Sequence, residues 1–361
     1  MAVPITQIDV SAYTIPTDFP EADGTIEWDS TTIVIVEPHA GGQTGIGFTY
    51  GDLSAGRIID RIFSPLLLGK DAMAVEEHWM AMLRRVRNIG RPGIASHAIS
   101  AMDIALWDLK ARLLNLPLAV LLGDARDAIE VYGSGGFTSY SVQQIQEQFA
   151  GWIDQGIKKV KMKVGANPSA DVFRVRGAKQ AIGGDVELFV DANGAYTRKQ
   201  ALEFAENFAA YDVRWFEEPV SSDDLEGLRM MRDRAPGGMD IAAGEYGYDH
   251  WYFRRMLEAQ AVDVLQADAT RCSATGFLKA AALASAHQIP LSAHTAPSIH
   301  AHLCCAAPIA CHLEYFHDHV RIEHMLFNQV LEPVNGCLYP DRSRPGLGIE
   351  LKRSDAVKYA A

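Results

Sequence analysis

Seven ionisable residues recur at nearly one spacing through the second half of the 361-residue chain: Lys163, Asp191, Glu217, Glu245, Asp268, His294 and Glu314. Their gaps are 28, 26, 28, 23, 26 and 20 residues. Each closes or just follows a short apolar run, as in Leu188–Asp191, Arg214–Glu217 and Leu291–His294. One strand, one loop and one helix occupy roughly 25 residues in a βα barrel of about 250 residues. Strand C-termini of such a barrel open into one pocket, so residues far apart in sequence converge there. The spacing therefore predicts a barrel whose charged positions share a single face.

The chemistry of that face follows from residue types. Asp191, Glu217 and Glu245 would repel one another in a pocket of low dielectric, so a cation belongs between them. An all-oxygen set with open positions suits Mg²⁺, with Mn²⁺ as a substitute. Any one of these carboxylates alone reads equally well as a helix cap, whereas three in phase do not. In Val-Lys-Met-Lys-Val, strand alternation puts Lys161 and Lys163 on one face, toward the barrel interior, with Val160, Met162 and Val164 toward the helices. Two adjacent ammonium groups are expected to lower at least one lysine pKa and make a base. Asp268 and His294 end neighbouring strands, an arrangement that fixes an imidazole tautomer and raises its basicity. Glu314, one strand on, is expected to hydrogen-bond a substrate oxygen while protonated.

Composition narrows the partners. A formal net charge of −12 argues against nucleic acid and anionic membrane, but not against a small anionic carboxylate beside a metal and two lysines. No apolar run is long enough to span a bilayer, and the N-terminus reads as a strand without a basic leader, so a cytoplasmic protein is expected. The five cysteines lack any CxxC spacing and read as free thiols. Residues 1–125 pass from strand-like alternation (Ile5–Tyr13, Thr31–Glu37) to helical patterns, which predicts an α+β domain. From residue 126 to 330 the pattern is strand–helix–strand, eight strands starting at Ile129–Tyr132. The tail, 331–361, leaves that pattern and is expected to pack on the first domain.

As an ordered set, Lys161-Met-Lys163, Asp191-Ala-Asn193, Glu217-Glu218-Pro219, Gly244-Glu245, Gln266-Ala-Asp268, His294 and Leu313-Glu314 resemble the enolase superfamily, in its mandelate racemase subgroup. The run from Ala101 to Asp108 is similar to that family's cap-to-barrel helix. The resemblance implies an N-terminal α+β capping domain, completed by the tail, over a modified (β/α)₇β TIM barrel. It implies Mg²⁺ on Asp191, Glu217 and Glu245 and loss of a proton α to a carboxylate through an enediolate. Lys163 would be one base, tuned by Lys161, and His294, oriented by Asp268, would serve the other face. Asn193 and Glu314 would contact substrate oxygens. Dehydration of a sugar acid to a 2-keto-3-deoxy acid is the favoured outcome. Racemisation or epimerisation of a 2-hydroxy acid and lactone cycloisomerisation are the alternatives, and a non-catalytic scaffold is the outside one. Homo-oligomerisation is expected from family habit alone.

Substrate choice is expected in the cap. Residues 16–30 read as an acidic loop over the barrel mouth, with Asp23, Glu27 and Trp28 as contacts and Tyr50 from a second loop. Such a loop would repel a second carboxylate, favouring aldonates over aldarates. His317, His319 and His324 read as loop histidines, and Arg91 and His97 receive no role.

Overall fold

The computed structural model describes residues 2–361. Its N-terminal part is an antiparallel sheet of β1 (Ile5–Ala22), β2 (Glu27–Ala40), β3 (Gln43–Thr44) and β4 (Gly47–Tyr50). A helical stretch over 54–67 and the helices Val75–Arg85 and Ile94–Leu113 pack on it. Gly47 lets β4 lie against the last of these, since a Cβ there would sit 2.3 Å from Ala105 N and 2.4 Å from Ala101 O.

Eight parallel strands follow: β5 (Ile129–Gly135), β6 (Lys159–Lys163), β7 (Glu187–Asp191), β8 (Val213–Glu217), β9 (Asp240–Ala243), β10 (Val264–Ala267), β11 (Leu291–Ala293) and β12 (Ala310–Phe316). β12 pairs with β5, so the sheet closes. Seven helices alternate with the strands, and an eighth, His317–Leu326, follows β12. Sequence signals start several of them: Ser141 with Gln144, and Thr197 with Gln200, form reciprocal capping boxes. Outward residues such as Val160, Met162, Val190 and Phe216 join the main core under the helices. Inward positions of the lower strands hold Tyr132, Phe189 and Trp215. Two residues further along the same strands, on the same inward face, stand Asp191 and Glu217. An apolar plug therefore lies directly beneath the carboxylates.

The acidic stretch over 16–30 is not a loop. β1 and β2 run antiparallel through it, Glu21 facing Trp28 and Ala22 facing Glu27, with a register shift between Pro16 and Glu21. The strands are joined by a turn over 23–26, closed by Asp23 N donating to Ile26 O at 3.0 Å. Backbone pairing on both sides of the register shift satisfies main-chain donors and acceptors and outweighs the turn-like composition. The tip reaches the barrel: Thr138 donates through N to Ala22 O and through Oγ1 to Asp23 O. Gly24 permits this closeness, as a Cβ would stand 2.4 Å from Ala192 O and 2.7 Å from Val164 O.

The tail binds both parts. Residues Cys337–Leu338 pair antiparallel with the start of β5. Leu347 N donates to the buried Asp108 at 2.6 Å, Arg353 meets Glu37 at 2.7 Å, and Ala361 N reaches Ala12 O. His302 joins this junction: its Nδ1 accepts from Ala119 N and its Nε2 donates to Leu347 O, each at 3.2 Å. Burial lowers its pKa to about 4, against an ordinary 6.5. Between those values the unfolded chain binds a proton that the folded chain refuses, so this contribution to stability rises with pH and is lost on acidification. We expect the free energy of urea unfolding to fall as pH drops from about 6.5 to about 4. His302→Gln, which keeps a neutral donor and acceptor, should flatten that slope by an amount on the order of 3 kcal/mol or less.

Candidate active site

The C-terminal ends of the barrel strands, with the hairpin over them, enclose a cavity of about 360 Å³. Lys163, Asn193, Glu245, Asp268, His294 and Glu314 line its inner end. Asp191 and Glu217, both fully buried, lie just beneath with Lys161. Single ligand atoms of Asp191, Glu217 and Glu245 fall within 4.8 Å of one another.

Electrostatics in this cluster are severe. Burial and Asp191 raise Glu217 to a pKa of about 8, and burial with Glu245 raises the adjacent Glu218 further. Glu245 keeps one buried oxygen without a hydrogen bond. The lysines carry part of the compensation. Lys161 Nζ donates to both Glu217 oxygens, at 2.8 and 2.7 Å, and lies 2.8 Å from Glu314. Lys163 Nζ pairs with Asp191. The expectation that one lysine lowers the pKa of the other therefore does not hold for this charge arrangement. Burial opposes each ammonium, but Glu217 and Glu314 hold Lys161, and Asp191 holds Lys163, above the ordinary lysine range; mutual repulsion is the smaller effect. Glu314 is likewise not a protonated donor. Burial disfavours its charge, yet Lys161 and His294 depress its pKa to about 2.

His294 is oriented from behind. Asp268 Oδ2 accepts from His294 Nδ1 at 2.9 Å, while Asp268 Oδ1 accepts from Thr270 N and Oγ1 at the start of helix Ala269–Ala286. One carboxylate thus caps a helix and fixes a tautomer, leaving His294 Nε2 aimed into the cavity, 3.1 Å from Glu245 and 3.5 Å from Glu314. Burial opposes protonation, but Glu245 and Glu314 raise His294 to a pKa of about 10. Around the closed barrel, Lys163 on β6 and His294 after β11 are separated by β5 and β12 and face a common space.

The cap residues divide. Trp28 and Tyr50 line the cavity. Asp23 does too, although its Oδ1 is engaged by Thr25 N, Thr25 Oγ1 and Ile26 N, which makes it first a turn-former. Glu27 is exposed and does not line this cavity; it borders a different one, to which Trp28 also contributes. The histidines are not in a loop but on helix His317–Leu326. Among them His319 lines the cavity and stacks on Tyr50 with ring centroids 3.5 Å apart. Arg271 was missed as well. It donates to Glu245 and lies 3.7 Å from Asp268, and its position three residues after Asp268, in the first turn of a helix, was the available signal. Arg91 sits over Trp251, and His97 bonds Thr49, whose hydroxyl donates to Thr270 O beside the site; neither lines the cavity.

Residues 10–123 match the mandelate racemase / muconate lactonizing enzyme N-terminal domain model, and residues 144–356 match the enolase C-terminal domain-like model. The chain belongs to the enolase superfamily, in its mandelate racemase subgroup. A mandelate racemase/muconate lactonizing enzyme-like protein from Rubrobacter xylanophilus shares its fold with a TM-score of 0.97 at 54% identity, covering 99% of this chain and 100% of that one. L-talarate/galactarate dehydratase from Salmonella typhimurium is 34% identical over 316 residues, 86% of this chain and 78% of its own. Its structure with Mg and L-lyxarohydroxamate superposes with a TM-score of 0.91 at 30% identity, over 100% of this chain and 94% of that one. 3,6-anhydro-alpha-L-galactonate cycloisomerase from Streptomyces coelicolor is 31% identical over 353 residues, 96% of each chain.

In this subgroup member, the all-oxygen, buried and closely spaced set of Asp191, Glu217 and Glu245 fits Mg²⁺. Added Mg²⁺ should raise the melting temperature of chelator-treated protein, because a ligand at about 100 times its Kd stabilises by about 2.7 kcal/mol. In Asp191→Asn the shift should shrink or vanish; an undiminished shift would place the ion elsewhere.

Proposed function

We propose that this enzyme dehydrates a sugar acid, an aldonate in preference to an aldarate, by removing the proton α to its carboxylate. The observation that carries the reading is the pairing of Lys163 and the His294–Asp268 dyad across one cavity whose floor is the three-carboxylate cluster. Mg²⁺ held by Asp191, Glu217 and Glu245 supplies a Lewis acid for the charge that gathers on the substrate carboxylate as the proton leaves.

The remaining work falls to side chains. Lys163 Nζ takes the α-proton; sharing Asp191 with a cation weakens the ion pair that otherwise holds this ammonium charged. Lys161, fixed beneath by Glu217 and Glu314, supplies a buried positive charge toward the substrate carboxylate. His294 Nε2 delivers a proton to the β-hydroxyl, which leaves as water, while Asp268 keeps Nδ1 protonated and the ring in place. Asn193 Oδ1 and Glu314 Oε2, both buried without hydrogen bonds, are available to accept from substrate hydroxyls. We further propose the division into a cap of residues 1–125, completed by 331–361, over a barrel of 126–330.

Preference for a monoacid rests on the outer end of the cavity. Trp28, Ser30, Thr32, Tyr50, Phe316 and His319 lie there without a lysine or arginine. The lining cations, Lys163, Arg271 and His294, are already paired with Asp191, Glu245 and Asp268. Burial lowers His319 to a pKa of about 3, so it meets substrate neutral. Cycloisomerisation of a sugar lactone is the second reading, favoured by similarity along nearly all of both chains to the Streptomyces cycloisomerase.

Purified protein with Mg²⁺, screened against aldonic acids, aldaric acids and their lactones with semicarbazide detection of 2-keto acids, should give its strongest signal on an aldonate. Signal confined to aldarates would refute the monoacid preference, and lactone opening without any 2-keto acid would favour cycloisomerisation. Lys163→Ala and His294→Asn should each lower turnover by about 10²–10⁴-fold. They should differ in deuterium oxide: His294→Asn retains exchange of the substrate α-proton, and Lys163→Ala loses it. A second contrast tests the cap, where Trp28→Ala should raise KM and Glu27→Ala should leave it unchanged.

A further inference from the structure

Where the hairpin crosses the rim of the barrel, Asp18 and Glu21 of β1 meet His317, the first residue of the helix after β12. One ligand atom from each lies within 4.8 Å of the others. His317 Nε2 stands 2.9 Å from Asp18 Oδ2, across 299 positions of sequence. None of the three lines the catalytic cavity; Glu21 borders a separate one of about 380 Å³ on the outer side of the hairpin.

Glu21 is the unusual member. It is 1% exposed, its Oε2 accepts from Trp28 Nε1 at 2.8 Å, and its Oε1 is buried without any partner. An uncompensated buried carboxylate is costly, so this oxygen calls for a cation or a proton. Burial and the neighbouring Asp318 and Asp18 push its pKa to about 9. The nearby cation is committed elsewhere: Arg321 Nη2 donates to Pro16 O at 2.6 Å and to Asp318 Oδ1 at 2.7 Å. The hydroxyl of Tyr140, within electrostatic range of the same carboxylates, is also buried and unpartnered. The register shift between Pro16 and Glu21 lies in this segment, and such irregularities re-aim side chains.

We propose that Asp18, Glu21 and His317 form a second divalent-cation site that clamps the hairpin to the barrel. One imidazole nitrogen with two carboxylates suits Zn²⁺, and Mn²⁺ less tightly, whereas Mg²⁺ is bound chiefly through oxygen and water. The partly exposed Asp18 and His317 leave an entry path from solvent. Because Glu21 also holds the Trp28 indole, and Trp28 lines the catalytic cavity, an ion here fixes the wall that faces the substrate. Cross-linking the hairpin reduces the ordering that substrate binding must otherwise supply.

The test separates the two metal centres. In the full chain carrying Asp191→Asn and Glu245→Gln, which disables the barrel centre, calorimetric titration with Zn²⁺ should still show one equivalent. That equivalent should weaken at least tenfold when either His317→Gln or Glu21→Gln is added. Absence of Zn²⁺ binding in the barrel-disabled chain, or binding indifferent to His317→Gln, overturns the proposal. Unsubstituted crystals soaked with Zn²⁺ in excess Mg²⁺ provide a readout independent of variant folding. An anomalous peak about 2.0–2.1 Å from His317 Nε2 supports the site, and a peak only at the barrel carboxylates refutes it.

Discussion

Three carboxylates buried within 4.8 Å of one another set the terms for everything around them. In a medium of low dielectric such a group can stay ionised only if positive charge is brought in and held. The chain brings it from the adjacent strand, where Lys161 and Lys163 point inward beside Asp191 and Glu217. It brings more from Arg271 and from His294, which both touch Glu245. The barrel serves this balance, since only parallel strands with one common register of C-termini deliver seven charged side chains to one mouth. The apolar plug of Tyr132, Phe189 and Trp215 keeps water from entering below, and Trp215 Nε1 also donates to Glu217 Oε2 at 3.0 Å.

That balance also explains why two sequence expectations about protonation did not hold. Mutual repulsion between Lys161 and Lys163 is real, but each ammonium is closer to a carboxylate than to a free boundary with water, so the opposite charge dominates. Glu314 reads as a neutral donor only when considered alone. Beside Lys161 at 2.8 Å it is an anion that anchors the lysine. Pairwise reasoning along one strand misses partners that arrive from strands 56 or more residues away, as Glu217 does for Lys161.

The barrel was legible because its signals are periodic and chemical at once. Apolar runs give the strands, and a charge at the end of each run gives the phase; Lys161, Lys163, Asp191, Glu217, Glu245, Asp268, His294 and Glu314 come together in the structure as that phase requires. The cap was less legible. Asp18, Glu21, Asp23, Glu27 and Asp29 look like a solvated loop in one dimension, yet all but the turn-forming Asp23 lie on the two strands of a hairpin. Trp28 borders both the catalytic cavity and a second one, whereas Glu27 borders the second alone. Arg271 carries no strand-end signal and His319 reads as a loop histidine, because their roles depend on a helix turn and on a stack with Tyr50, 269 positions away by numbering. Composition carries no trace of either.

Catalytic power and substrate choice are thereby assigned to parts of the chain with different mechanical properties. The charged centre sits on strand ends braced by a closed sheet and by Asp268, which ties His294 to the start of a helix in one residue. The wall opposite is a two-stranded arm whose tip is held by a few hydrogen bonds from Thr138 and by the close approach that Gly24 allows. The arm is also seated by apolar contact, Trp28 meeting Phe137 edge-on with ring centroids 5.6 Å apart and Phe19 meeting Tyr140 at 6.1 Å. The aromatic residues of the cavity wall, Trp28 on the arm and Tyr50 stacked with His319, are thus carried by other elements than the charged strand ends. The shape of that wall can therefore change without moving Lys163 or His294, so substrate choice and proton transfer rest on separate elements of the chain.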